Sequence, residues 1–349
     1  MALTPQSNIC LNKLAAKLKS LDTFIICGHI SPDGDCIGSQ LALGHALRSL
    51  GKEVHFLLAR KDRIDDSLKF LPGINELIPA GNFEGCAEAF ISCDVPTVER
   101  IADGAAVKAR CKTSFTIDHH ASLKTMSDWN YVDPDSASTT MIVWELISAL
   151  GIKPSADMAI CTYTGLMTDT GGFCFQNTDV CAFRSASEML ETGIEPALVA
   201  REVFQSRSIA SLRLESLALK RMKVSSDGSY VISYLRLRDF EECGGVKSDA
   251  EPIINTLRSI KGVRVACMLR EQETGVRGSF RAKDDTNVAA LAAKFEGGGH
   301  KAAAGFTIFS SVDNALKQCS EVLDKEFSDA RNILSDEDKG FSSPSSRFS

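Results

Sequence analysis

The chain has 349 residues but no apolar run near the roughly 18 needed to cross a bilayer, so no membrane-spanning helix is expected. Its N-terminal stretch, MALTPQSNICLNKLAAKLKS, lacks an apolar core followed by a small-residue cleavage site. With no secretory signal, the expected location is the cytoplasm. None of the 12 cysteines pairs at C-x-x-C spacing, which disfavours a structural zinc site or a thioredoxin-like redox pair. Cys27, Cys93, Cys161 and Cys267 instead sit inside apolar runs, where a free thiol behaves as a small hydrophobe. A basic excess is also missing: 39 Lys and Arg against 45 Asp and Glu give a net charge of −6. A protein that grips long nucleic acid through its phosphates needs many cations, so long nucleic acid is not an expected partner. Short phosphorylated molecules remain compatible, because bound cations reverse the local field. Neither Gly-x-x-x-x-Gly-Lys nor Gly-x-Gly-x-x-Gly occurs, so neither ATP hydrolysis nor NAD chemistry is indicated.

What is present is an ordinary globular composition, 44% apolar and 24% charged, at a length that suggests two domains. The first ~200 residues alternate short β-rich runs with helical ones, the pattern of a mostly parallel sheet flanked by helices in an α/β fold. Strands are predicted at Thr23–Cys27, Glu53–Leu58, Ala89–Cys93 and Ser114–Ile117, and helices at Ile37–Leu50, Val98–Arg110, Thr139–Leu150, Ala156–Met167 and Cys181–Glu191. Residues 201–222 read as a connection ending in a helix, Ser208–Met222. From 223 to 331 a second, smaller α/β domain is expected: an Asp227-Gly228 turn, then strands at Tyr230–Leu237, Val263–Arg270, Val276–Lys283 and Phe306–Phe309. Gly297-Gly298-Gly299 reads as a chain break before a last helix from Val312 to about Phe327, and the Ser-rich tail 332–349 reads as disordered.

Side chains suited to metal ions collect where the first-domain strands end. His29, Asp33 and Asp35 follow the first strand, Asp94 follows Ala89–Cys93, and Asp118-His119-His120 ends Ser114–Ile117. Asp169 lies just beyond the helix Ala156–Met167. In an open parallel sheet, ligands bind in the crevice at the carboxyl ends of the strands, so these distant segments converge on one cleft. Carboxylates with imidazoles suit Mn²⁺, Zn²⁺ or Fe²⁺, and the absence of Cys from the set disfavours a soft-ligand site. Crowded carboxylates repel, and two divalent cations sharing Asp94 would relieve that while clamping the oxygens of an in-line phosphoryl displacement. Taken singly, an Asp at a strand end is commonly a turn or helix cap, and Asp35 before Cys36-Ile37 fits that description too. His45, within a helix, and His55, within a strand, are expected to be structural.

Gly28-His29-Ile30-Ser31-Pro32-Asp33-Gly34-Asp35, the isolated Asp94, Asp118-His119-His120 and the Asp169 segment resemble the four motifs of the DHH phosphoesterase superfamily. Gly297-Gly298-Gly299-His300 followed by Ala302-Ala303-Ala304-Gly305 resembles the signature of its accessory DHHA1 domain, and the pair looks most like the oligoribonuclease/pAp phosphatase (nanoRNase) branch. The resemblance implies that His29, Asp33 and Asp94 hold one Mn²⁺ and that Asp35, Asp94, His119 and Asp169 hold the other. It implies Asp118 orienting a His ligand from behind, and His120 contacting the scissile phosphate and assisting the leaving oxygen as an acid. In the DHHA1 part it implies substrate binding by Gly298, Gly299 and His300, and by Ser279 and Arg281, which alternate onto one strand face. The implied activity is two-metal hydrolysis of short oligoribonucleotides and linear dinucleotides to mononucleotides, and of 3′-phosphoadenosine 5′-phosphate to AMP. Alternatives are a cyclic-dinucleotide phosphodiesterase, a single-strand DNA exonuclease, a manganese pyrophosphatase or a non-catalytic nucleotide-binding regulator; a homodimer is compatible with each. The sequence departs from the family pattern at Glu296, where a further Gly is usual, and at Ala282, where a second Ser is expected.

Overall fold

The computed structural model describes residues 4–121 and 125–339, and the chain divides into two compact units, one ending at Ser206 and the other starting at Arg207. In the first unit six strands, β1 (Thr23–Cys27), β2 (Glu53–Leu58), β3 (Ile78–Pro79), β4 (Ala89–Cys93), β5 (Thr113–Asp118) and β6 (Trp129–Val132), form one all-parallel sheet. Their order is β3-β2-β1-β4-β5-β6. The chain therefore steps outward from β1 in one direction, returns, and steps outward from β4 in the other. The carboxyl ends of β1 and β4 flank the point where the winding reverses, which is where open α/β sheets bind ligands.

Helices α1 (Leu11–Lys19), α2 (Gly34–Ser49), α3 (Gly104–Lys108), α4 (Thr139–Ala149), α5 (Ala156–Asp169), α6 (Val180–Leu190) and α7 (Pro196–Phe204) cover the sheet. Alternation in β1 sends Phe24 and Ile26 into a large core with α2, α4 and α5, and Ile25 and Cys27 into a smaller one with Phe90, Ile101 and Val107. Burial on both faces explains why these strands read as continuous apolar runs. Helix α2 is buried nearly all round from Gly34 to Leu47, because it lies between the sheet and its neighbours α4 and α5. It starts three residues earlier than predicted, at Gly34, because the Asp33 carboxylate accepts from Cys36 N at 3.0 Å and caps it. The predicted helix Val98–Arg110 is instead a 3-10 turn, Val98–Ile101, and the short α3, split at Ala102, which takes a left-handed φ of 41°.

The second unit carries β7 (Lys223–Val224), β8 (Tyr230–Leu235), β9 (Val265–Gln272), β10 (Gly275–Ala282), β11 (Gly298–His300) and β12 (Ala303–Ile308) in the order β11-β12-β10-β9-β8-β7. Only β8 and β9 run parallel, so the sheet is mixed. Its helices are α8 (Ile209–Arg221), α9 (Leu237–Cys243), α10 (Ile253–Arg258), α11 (Val288–Ala293) and α12 (Val312–Lys339). The sequence-predicted connector helix is α8, and it belongs to this unit's core: Leu214 and Ala218 pack with Val231, Leu257 and Met268. The Gly297-Gly298-Gly299 run is no chain break. Gly298 and Gly299 enter β11, which pairs with β12 at the sheet edge. The last helix reaches Lys339 rather than Phe327, so the stretch from Asn332 to Lys339, expected to be disordered, is helical; residues 340–349 lie outside the described set. Among the described residues no helix is long and apolar enough to cross a membrane.

Candidate metal centre and substrate face

Asp94 sits at the centre of the first unit's cleft. It follows β4 in a left-handed conformation, φ 60°, while its N–H still donates to Ile117 O at 2.9 Å, so the ladder to β5 fixes where the carboxylate points. One oxygen, Oδ2, lies 3.3 Å from His29 Nε2; the other, Oδ1, lies 3.6 Å from His119 Nε2 and 3.4 Å from His120 Nδ1. His119 Nε2 lies 3.2 Å from Asp169 Oδ2 and 3.9 Å from Asp35 Oδ2. His29 Nε2 lies 3.8 Å from Asp33 Oδ1. Residues spread from His29 to Asp169 are thus gathered into one cluster, and all eight singled out in the sequence are in it or against it.

Each is held by a local device. Asp35, fully buried in the first turn of α2, receives Thr139 N at 2.7 Å and Thr140 N at 2.8 Å from the amino end of α4, where exposed N–H groups and the helix dipole favour an anion. Thr139 Oγ1 donates to Asp94 at 3.1 Å. His29 Nδ1 bonds Ile30 O at 2.8 Å and His119 Nδ1 bonds Ser136 O at 3.2 Å, which turns each Nε2 toward the carboxylates. Asp118 is buried; its Oδ1 accepts from His119 N, His120 N and His120 Nδ1 at 2.8, 3.2 and 2.7 Å. Asp169 is the final residue of α5, not beyond it. Gly165, one turn earlier, leaves room: a Cβ there would stand 2.8 Å from Asp35 Oδ1 and 2.3 Å from the Thr140 methyl.

The electrostatics are those of crowded carboxylates that the neighbouring imidazoles compensate only in part. Burial first, and then the Asp94 charge, push the Asp35 carboxyl up to about 7. Burial, then Asp35, Asp33 and Asp94, raise Asp169 well above the carboxylate range. Burial works against Asp94 as well, but its three histidine neighbours outweigh it and hold it low. Burial lowers the His29 and His120 imidazoles, yet their anionic partners leave both net raised. Hard oxygen donors with imidazole nitrogens, crowded at this cost, fit divalent transition-metal ions. Groups compatible with one ion are Asp35, His119 and Asp169; Asp94, His119 and His120; and His29, Cys36 and Asp94.

Cys36, Thr139 and Thr140 were missed from sequence. The Cys36 sulfur accepts from His29 N at 3.2 Å, so, contrary to expectation, a soft atom does border the site. Ser138-Thr139-Thr140 carried a signal, a capping serine ahead of a helix, but nothing local says which carboxylate that helix end receives. His45 bonds Pro72 O at 3.0 Å and His55 pairs with Glu53 at 3.0 Å, both away from the cluster.

In the second unit, β10 buries Val276, Gly278, Phe280 and Ala282 and turns Arg277, Ser279 and Arg281 to the other face. Antiparallel register sets Ser279 opposite Gly305 and Gly305 opposite Gly298, and in the next row Arg281 opposite Ala303 and Ala303 opposite His300. Gly299 lies beside them at φ 146°, where a Cβ would meet Ala303 O at 2.5 Å. The five predicted substrate residues therefore share three adjoining strands; the His300 side chain is outside the described set. Glu296 takes φ 56°, a conformation glycine adopts freely, which accounts for the usual Gly at this position. Ala282 points into the core, so the family's missing Ser lies on the face opposite Ser279.

Comparison with known proteins assigns residues 23–166 to the DHH family, N-terminal domain, and residues 227–329 to the DHHA1 domain. The chain is 31% identical to the bifunctional oligoribonuclease and PAP phosphatase NrnA of Thermus thermophilus, over 91% of this chain and 94% of that protein. It is 27% identical to the protein of the same name from Bacillus subtilis, over 85% and 93%. The crystal structure of an exopolyphosphatase-related protein from Bacteroides fragilis superimposes with a TM-score of 0.84 at 30% identity, covering 90% of this chain and 96% of that one.

Proposed function

The chain belongs to the DHH–DHHA1 family of phosphoesterases, and we propose on that premise that it hydrolyses short oligoribonucleotides and 3′-phosphoadenosine 5′-phosphate with two Mn²⁺ ions. The observation that carries this reading is the meeting of His29, Asp94, His119 and Asp169, from four separate segments, at the sheet's winding reversal. The substrate class follows from the relatives, both named for those two activities. The acidic net charge, −6, favours short substrates over long nucleic acid.

His29, Asp33 and Asp94 would hold one ion, and Asp35, Asp94, His119 and Asp169 the other. Bound divalent ions supply Lewis-acid polarisation of the phosphoryl group and neutralise the charge that builds on its oxygens. The chain's own residues do the rest. The Thr139 and Thr140 amides fix Asp35, the Thr139 hydroxyl fixes Asp94, and the Ile30 and Ser136 carbonyls orient His29 and His119. Hydrolysis forms a P–O bond from water and breaks the bond to the leaving oxygen, which takes up a proton. His120, its Nδ1 held by Asp118 and its proton affinity raised, would donate that proton. In the DHHA1 unit Ser279, Arg281, Gly298, Gly299 and His300 would contribute substrate binding, as the family resemblance implies.

Each of the 12 cysteines is a free thiol, which supports a reducing, cytoplasmic setting. Product analysis with Mn²⁺ on di- to decanucleotide RNA, 3′-phosphoadenosine 5′-phosphate, a cyclic dinucleotide and pyrophosphate tests the proposal. Mononucleotides from the short RNAs and AMP from the bisphosphate are expected. Cleavage of the cyclic dinucleotide or pyrophosphate alone, or binding without turnover, overturns it.

A further inference from the structure

The peptide joining Ile30 to Ser31 is gripped at both ends. Its carbonyl accepts from His29 Nδ1 at 2.8 Å, and its N–H donates to Asp62 Oδ2 at 2.7 Å. Asp62 lies in the loop after β2. That strand runs parallel to β1 with Leu57 beside Cys27, so the loops after the two strands leave the sheet side by side. The other Asp62 oxygen, Oδ1, accepts from Arg60 Nε at 2.8 Å, and the Asp62 side chain is mostly buried. From the loop after β4, Arg100 O accepts Ile30 N at 2.8 Å, and Arg100 Nη2 stands 3.5 Å from the Ile30 carbonyl.

The local sequence does not favour this geometry. Ser31 takes a left-handed φ of 54°, whereas a residue ahead of a proline is steered toward extended backbone. The conformation is therefore imposed by the neighbouring loops, and the charged group that meets the Ser31 N–H is the Asp62 carboxylate. An ionised acceptor makes a hydrogen bond roughly twice as strong as a neutral one. Hydrogen bonds in series also polarise one another, so an N–H bonded to an anion leaves the carbonyl of its own peptide a better acceptor. A carbonyl only accepts, so His29 Nδ1 carries the proton in that contact. Nε2 is left for the cluster, 3.3 Å from Asp94 Oδ2.

We propose that Asp62 is a positioning residue for His29: acting through the Ile30–Ser31 peptide, it fixes the imidazole and strengthens Nε2 as a donor to a divalent metal ion. A ligating histidine commonly gives its other N–H to a carboxylate or a carbonyl. Here the two are coupled in series, with one peptide unit between carboxylate and ring, and Arg60 keeps the carboxylate in place. The inference rests on the cluster being a metal centre.

Titration of the full-length protein with Mn²⁺, followed by the paramagnetic resonance of the free ion, tests it. In D62A the ion that depends on His29 binds about tenfold more weakly. D62N, whose amide oxygen still accepts from Ser31 N, recovers part of the loss. E76A, which breaks the Arg48–Glu76 pair elsewhere in the same unit, leaves Mn²⁺ binding as it is. Unchanged binding in D62A, or an equal loss in E76A, overturns the relay. A second readout needs no metal: proton–nitrogen NMR of metal-free protein labelled at histidine. The His29 Nδ1 proton, assigned by its loss in H29Q, is expected downfield and slow to exchange with water. In D62A it moves upfield and exchanges faster; an unmoved resonance overturns the proposal. If the wild type takes up no Mn²⁺, the metal reading has failed instead, and this resonance decides whether Asp62 positions the ring. If circular dichroism shows D62A misfolded, D62N takes its place with the same two outcomes.

Discussion

Asp118 Oδ1 and His120 Nδ1 are 2.7 Å apart, and the same oxygen takes the backbone N–H groups of His119 and His120. One carboxylate therefore sets the turn after β5 and the orientation of the imidazole at its end. Asp118→Asn leaves an oxygen able to accept from all three donors and removes the charge. The expected result is a kcat 10–100-fold lower with metal content retained, measured by single-turnover kinetics beside elemental analysis.

Asp169 is raised by its burial and by the nearby carboxylates, so without metal it is a destabilising group. In metal-free buffer Asp169→Asn is expected to melt at or above the wild-type temperature. Saturating Mn²⁺ stabilises the wild type by about 2.7 kcal/mol at a hundredfold excess over Kd and the variant by much less. Differential scanning calorimetry with chelator and with Mn²⁺ reads both; an equal metal-induced shift in the two proteins refutes the assignment.

Gly165→Ala puts a methyl against Asp35 Oδ1 and Thr140 in the tight α2–α4–α5 contact. Stability is expected to fall by about 1–3 kcal/mol and activity to fall further than stability alone explains, because the displaced carboxylate is one of the proposed ligands. Urea denaturation beside an activity assay at a temperature where the variant is folded separates the two effects.

The second unit has its own acid sensitivity. Asp239, 1% exposed, accepts from Arg221 Nη2 at 2.9 Å and from Arg236 N at 2.6 Å. Burial raises its carboxyl, but these donors outweigh it and the folded value lies below the usual one. A depressed carboxylate contributes stability that is complete above the unfolded value of about 3.9 and is lost as pH falls through the folded value. Asp239→Asn is expected to cost about 3 kcal/mol at pH 7 and progressively less below about pH 4, followed by denaturant titration across that range.

The positions of His29, Asp94 and Asp118-His119-His120 were legible because they directly follow apolar runs that read as buried strands, and strand ends share one edge of a parallel sheet. Asp35 was ambiguous for a physical reason. Whether it caps α2 or turns inward depends on where the helix starts, and Asp33, four residues from His29, takes the capping role. Trp129–Val132 went unread as a strand because its pairing with β5 is long-range and its run is four residues. The Gly297-Gly298-Gly299 segment looked like a break because glycine has no strand preference. It pairs with β12 because Gly297 and Gly299 let backbones approach where a Cβ would meet Gly305 O and Ala303 O at 2.4 and 2.5 Å.

Every side chain placed in the metal centre lies between His29 and Asp169, ahead of the boundary at Ser206. Synthesis runs from the amino end and domains fold as units, so the proposed cage can be completed while the second unit is still being made. On the proposed reading, a nascent protein stalled shortly after Ser206 has emerged would already compete for divalent metal ions.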